Sequence, residues 1–125
     1  MPFAGTSIEV SRHELKSLPG AWVDVRRMTY GQKLERQNML KLGIEMNSRS
    51  KDVKGELAMA NKEATYLDFK NCVVDHNLFK DEAETQKINF ASRMDVDLLN
   101  PRVGEEIDRI LNELNNFEEG DEAKN

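Results

Sequence analysis

The sequence predicts a mainly α protein: a small helical domain of three main helices, with an N-terminal β-ribbon and a disordered acidic C-terminal tail. Three observations carry that expectation. Apolar residues recur on a 4-3-4-3 spacing at Val103, Ile107, Ile110, Leu114 and Phe117, with a similar pattern between Val53 and Leu67, which places each set on one helix face. Two short runs near the start alternate with period two instead. After Glu118 the composition turns to Glu, Asp, Gly and Lys. The domain is therefore assigned to 1–118 and the tail to 119–125.

In the ribbon, Ile8 and Val10 alternate with Ser7, Glu9 and Ser11, and Ala21, Val23 and Val25 alternate with Trp22, Asp24 and Arg26. Leu18-Pro19-Gly20 supplies the turn between them. A lone two-stranded ribbon is marginal in water, so it must pack on a helix or pair with another chain.

The first helix is expected over 29–46. Thr29 and Gln32 have capping-box spacing, the helix passes through Leu34 and Met39 to about Leu42, and Gly43 is the candidate stop. Polar residues make Asn47–Lys54 a loop. The second helix is expected from about Lys54 to His76, on the stripe Val53, Leu57, Ala60, Ala64, Leu67 and Val74, which Asn71 interrupts and which Tyr66, Phe69 and Val73 widen. Asp75-His76-Asn77 and the stretch Asp81–Gln86 read as turns, and Ser92 and Asp95 cap a single helical turn through Leu99. The third helix opens at Asn100-Pro101, because Asn suits the N-cap and Pro the first helical position. The expected core comprises Val23, Val25, Leu34, Leu57, Ala64, Leu67, Ile107, Ile110 and Leu114.

A chain of 125 residues suits one domain. Hydrophobic residues at 38% against charged residues at 33% indicate a globular protein with a polar surface. A net charge of -5 with scattered basic residues opposes nucleic acid or an anionic membrane as partner. The start of the chain has neither a basic segment nor an apolar core of signal-peptide type. No apolar run approaches the roughly 18 residues of a membrane span. The single Cys72 has no internal disulfide partner, so a reducing cytoplasm is the expected location.

Candidate chemistry is sparse. Asp68, Cys72 and His76 follow one another at four-residue steps, yet ligands on one helix do not close a zinc site, and Cys72 reads as a small buried hydrophobe. The pairs Asp95 with Asp97, Glu105 with Glu106 and Glu118 with Glu119 read as solvated faces. Asp75, Asn77 and Asp81 lack the central Gly and closing Glu of a calcium loop. No phosphate-binding Gly-rich loop or nucleophile elbow is present. The reading is a non-enzyme with no catalytic, cofactor or metal residues.

Partner binding is favoured instead. Trp22 lies on the strand face opposite Val23 and Val25, and beside Arg26 it has the makings of an interface anchor. Leu67 and Phe117 on the helical stripes complete the expected partner-binding set of Trp22, Arg26, Leu67 and Phe117. Met28, Met39, Met46, Met59 and Met94 suit either core gaps or an adaptable surface.

The run Trp22-Val23-Asp24-Val25-Arg26-Arg27-Met28-Thr29-Tyr30-Gly31 resembles the opening of tail assembly chaperones of long-tailed (siphovirus-type) bacteriophages. Val73-Val74-Asp75-His76-Asn77-Leu78, Ile88-Asn89-Phe90, the stretch Leu98–Ile107 and Leu114-Asn115-Asn116-Phe117-Glu118-Glu119 are similar to the C-terminal half of such proteins. The resemblance spans most of Trp22–Glu119 and rests on diffuse motifs. It implies a chaperone that binds the tape measure protein and keeps it soluble during tail morphogenesis. The tail tube protein is a second candidate partner, as is a homo-oligomer. The family also often makes a longer form by a translational frameshift near the C-terminus. The competing class is a structural virion protein, a head-tail joining or tail-terminator ring. On this reading, Trp22→Ala or a charge at Leu67 weakens client retention in a pull-down; undiminished binding by folded variants counts against those positions.

Overall fold

Two strands form near the N-terminus, β1 (Ser11–Glu14) and β2 (Trp22–Val25); β2 falls on its expected alternating run, whereas the run with Ile8 and Val10 is not a strand and β1 begins where it ends. The two strands pair antiparallel with Ser11 opposite Val25 and Glu14 opposite Trp22. Ile8 and Val10 precede β1 and are exposed. Helix α1 (Tyr30–Arg49), helix α2 (Val53–Cys72), strand β3 (Val73–His76), the short helix α3 (Arg93–Asp97) and helix α4 (Pro101–Asn115) follow. The computed structural model describes residues 2–49 and 53–116, with the helical segments 42–49 and 53–60 by backbone alone. Phe117 and the acidic tail 119–125 lie outside the described residues, as does the middle of the expected loop at 50–52.

The fold is mixed α/β rather than mainly α: the described residues form four helices and a three-stranded antiparallel sheet in the order β1-β2-β3. The expected helix over 54–76 is the source of the difference. It stops at Cys72, and the next four residues become a strand. Val73 and Val74 are β-branched, which favours a pleated strand over a helix. Tertiary pairing decides between the two: Val23 lies opposite His76, Asp24 opposite Asp75 and Val25 opposite Val73, with a register irregularity between Asp24 and Val25. Asn77 secures the end of that pairing. Its Oδ1 accepts from the Trp22 N–H at 2.8 Å, and its Nδ2 donates to the Gly20 carbonyl at 2.8 Å. The ribbon thus finds its third strand within its own chain.

Helix α1 starts as the capping box requires, with the Thr29 N–H donating to Gln32 Oε1 at 3.0 Å and the Gln32 N–H to Thr29 Oγ1 at 3.2 Å. It does not stop at Gly43 but continues to Arg49. A glycine inside a helix costs only about 1 kcal/mol, and α1 packs antiparallel along α2. Both helices also extend into the expected loop 47–54. Ser92 Oγ caps α3, and Asn100 Oδ1 caps α4 with Pro101 as its first residue. Helix α4 ends at Asn116, whose φ of 56° is the left-handed conformation that Asn tolerates.

The core lies between the sheet and the helices. Val23, Val25, Phe69, Cys72, Ile107 and Leu111 form its centre, with Leu15, Leu78, Ile88, Phe90 and Val103 around it. In α4 the buried row is Val103, Ile107 and Leu111, and Ile110 and Leu114 flank it half-buried. In α2 the buried row is Ala64, Asp68 and Cys72 with Phe69, while Leu67 is half-buried. Leu34 is not core: it is 44% exposed. Arg36 reaches α2 from the face of α1 that packs there, and at 100° per residue Leu34 points nearly the opposite way. The expected core residue Leu57 lies in a segment described by backbone alone.

Glu106 fastens α4 to the β1–β2 turn. Its carboxylate accepts from the Lys16 N–H at 2.8 Å, the Ser17 N–H at 2.8 Å and Ser17 Oγ at 2.6 Å. Partial burial pushes this carboxyl up, but the bonds from Ser17 and Lys16 outweigh it and hold the group below its ordinary range. Its contribution is therefore present at neutral pH and is lost as pH falls through the lowered value. Glu106→Ala should lower unfolding stability by ~1–2 kcal/mol at neutral pH, read from urea midpoints, with the gap to wild type closing in acid.

Candidate functional site

Of the four residues expected to bind a partner, Phe117 lies outside the described residues, and Leu67 lines a different part of the surface from Trp22 and Arg26. Trp22 sits half-buried on the outer sheet face, where the Arg12 guanidinium lies 3.7 Å from its ring centroid. That guanidinium also donates to both Asp24 oxygens, at 2.8 and 3.1 Å. Arg26 is exposed just beyond β2, and its Nε donates to the Asn71 carbonyl at 3.2 Å. Leu67 lines a different depression, of about 260 Å³, with Met39 and Phe90. Its rim is closed by side chains tying α3 to α2: Arg93 pairs with Glu63, and the Tyr66 hydroxyl donates to Asp97.

The Asp68, Cys72 and His76 series is likewise separated, because α2 ends at Cys72 and His76 lies on β3. Cys72 is fully buried, with Asn115 Nδ2 at 3.8 Å from its sulfur. Burial pushes its thiol up to about 11, so it carries no thiolate at neutral pH. His76 packs edge-on to Phe90 and accepts the Leu78 N–H at Nδ1, 3.0 Å away. Burial lowers its pKa and favours the neutral ring. Among the described residues no cluster of three or more His, Cys, Asp or Glu could hold a metal ion.

A larger groove, of about 420 Å³, opens where three turns meet. Its floor is the buried Leu78, Ile88 and Val103. Its walls include Leu18 at 45%, Phe79 at 36% and Leu98 at 66% exposure, which are large apolar side chains left facing solvent. Leu18 comes from the β1–β2 turn, Phe79 from the segment after β3, and Leu98 from the end of α3.

Hydrogen bonds hold each wall. Across residues 78–88, the Lys80 N–H donates to the Gln86 carbonyl at 2.9 Å and the Ile88 N–H to the Leu78 carbonyl at 3.0 Å. Asp81 closes the tip by accepting from the Thr85 and Gln86 N–H groups at 3.1 and 3.0 Å, and from the Thr85 hydroxyl. These bonds, the Thr85 side chain first, hold the Asp81 carboxyl below its ordinary range. They also keep Glu84 in a left-handed conformation with φ of 56°, uncommon for a residue other than Gly, Asn or Asp. Asp95 takes the Asn89 N–H at 2.8 Å and Lys80 Nζ at 3.4 Å, which joins α3 to the same turn. The groove thus has an apolar floor between hydrogen-bonded walls, with Lys80, Asp81, Glu82 and Glu84 at one end.

Sequence periodicity could not find this groove. Leu18, Phe79 and Leu98 each stand beside turn residues, outside any regular apolar stripe. The one available signal was a bulky apolar residue within two positions of Pro19, Asp81 or Asn100.

No protein-family model matches the chain, and it matches no curated protein and no solved structure. No helix of the described residues is long and apolar enough to cross a membrane.

Between α1, α2 and α4 lies a buried ionic cluster. Asp68 is 1% exposed; its Oδ1 accepts from Arg36 Nε at 2.8 Å, while Oδ2 has no hydrogen-bond partner among the described residues. Burial pushes the carboxyl from 3.8 up to about 6 against the pull of Arg36, and the charge of Asp108 adds to the rise. The folded chain therefore holds a proton between pH 3.8 and about 6 that the unfolded chain has released. Stability from this group is present below that interval and is lost as pH rises through it. Urea midpoints compared between wild type and Asp68→Asn should show a falling component across that interval in the wild type, reduced in the variant. Parallel pH profiles would refute the assignment.

Proposed function

We propose that this protein is a bacteriophage tail assembly chaperone that binds the tape measure protein and keeps it soluble, with the apolar groove at Leu18, Phe79 and Leu98 as the client site. The observation that carries the reading is the exposure of these three side chains around a preformed apolar floor. Residues from the segments that resemble such chaperones, Leu78, Ile88, Leu98, Leu99 and Val103, meet in this groove. A helix of the client would lay its apolar stripe there, as amphipathic helices do in hydrophobic grooves. Many copies along one elongated client would need only modest affinity each, because linked sites add avidity.

The second reading, a ring-forming head-tail joining or tail-terminator protein, is favoured by one feature. Strand β1 is a sheet edge, and the residues before it carry Ile8 at 87% and Val10 at 45% exposure. Such an edge can accept a strand from a neighbouring subunit.

Co-expression with the tape measure protein of the same genome, followed by pull-down, tests the proposal. The client should be soluble and retained with the wild type, and lost with Leu98→Asp or Leu18→Asp when circular dichroism shows the fold intact. Trp22→Ala and a Leu67→Asp variant in parallel separate this groove from the surfaces chosen by sequence. A client that never binds, together with a discrete ring formed by this chain alone, would replace the chaperone reading with the structural one.

A further inference from the structure

The groove is apolar at its floor but charged at one end, where three carboxylates and one lysine line it. Asp81, Glu82 and Glu84 all line it on the 81–85 turn. Glu82 and Glu84 are exposed, and the hydrogen bonds of Asp81 fix the turn that presents them. The one cation in the lining, Lys80, has Nζ 3.4 Å from both Asp95 oxygens, so its charge is already matched.

We infer that the groove selects an amphipathic helix whose apolar stripe is flanked by Lys or Arg at the end that meets Glu82 and Glu84. The inference rests on the groove being the client site and adds the chemistry of the client segment. Apolar anchors seat between Leu18, Phe79 and Leu98, while the basic flank meets the acidic turn. An acidic flank on the incoming helix would instead bring like charges together, which costs affinity and slows encounter.

The test uses the full chain and two synthetic amphipathic peptides of about four helical turns, with one leucine stripe in common and either Lys or Glu flanks. Binding is read by fluorescence polarisation at low and at physiological salt. Two exposed ion pairs are each worth a few-fold, so the Lys-flanked peptide should bind about tenfold more tightly at low salt. The preference should shrink as salt screens it. The double variant Glu82→Lys with Glu84→Lys should reverse the preference, and Leu98→Asp should abolish binding of the Lys-flanked peptide. Equal binding of both peptides to the wild type, with Leu98→Asp abolishing both, would overturn the charge selectivity and leave the groove reading standing. Binding of the Lys-flanked peptide that survives Leu98→Asp would place it elsewhere and overturn the inference. If neither peptide binds, the groove reading and this inference fall together.

Discussion

The pairing of β3 with β2 is the constraint on which the remaining architecture depends. It gives the central strand a partner on both sides, with Val23 and Val25 fully buried against Ile107 and Leu111. The entire α1–α2 hairpin lies between these strands in sequence, so their pairing closes a long loop. Loop-closure entropy grows slowly with length, and ladder bonds, the Asn77 clamp and the burial of two valines together oppose it. Once β3 is in place, the chain leaving it runs directly into the 78–88 turn, so one register sets both the core and the groove wall.

Polar groups do much of the positioning at the edges of that core. Glu106 joins α4 to the β1–β2 turn through three donors. Asn115 does the same at the other end of α4, accepting the Met28 N–H at 2.9 Å while donating to the Leu111 carbonyl. Asp95 connects α3 to the segment preceding it. Each carboxylate or amide satisfies backbone donors that would otherwise be left without partners where helices meet turns. The Leu18 wall is fixed in this way through Glu106, and the Leu98 wall through Asp95 and Asn100. This is what makes an apolar surface with exposed leucines compatible with a defined shape.

The buried Asp68 stands apart. It links α1 to α2 through Arg36 but leaves one oxygen without a hydrogen bond among the described residues, in a nearly solvent-free site. Replacing both partners of such a pair by well-packed apolar residues is often neutral for stability, whereas removing one alone leaves the other charge uncompensated. The ion pair does specify how α1 is rotated on α2, because Arg36 must face Asp68, and that rotation exposes Leu34.

Local chemistry written in neighbouring residues was legible from sequence alone. The Thr29/Gln32 capping box, the Ser92 and Asn100-Pro101 caps, the Leu18-Pro19-Gly20 turn and the apolar face of α4 all involve groups within one or two turns of each other, so their geometry follows from backbone and side-chain preferences. Three features were settled only in three dimensions. The end of α2 at Cys72 depended on β2 offering a free edge, since Val73 and Val74 continue the apolar pattern of a helix as well as that of a strand. The rotation of α1 and α2 depended on a pair between residues on different helices, which moved Leu34 out and brought Asp68 in. The groove depended on three separate turns converging, and no periodic pattern records such a meeting. Residue order along the chain determined where elements begin and which faces are apolar; long-range pairing decided which of those faces met and which side chains were left exposed to a partner.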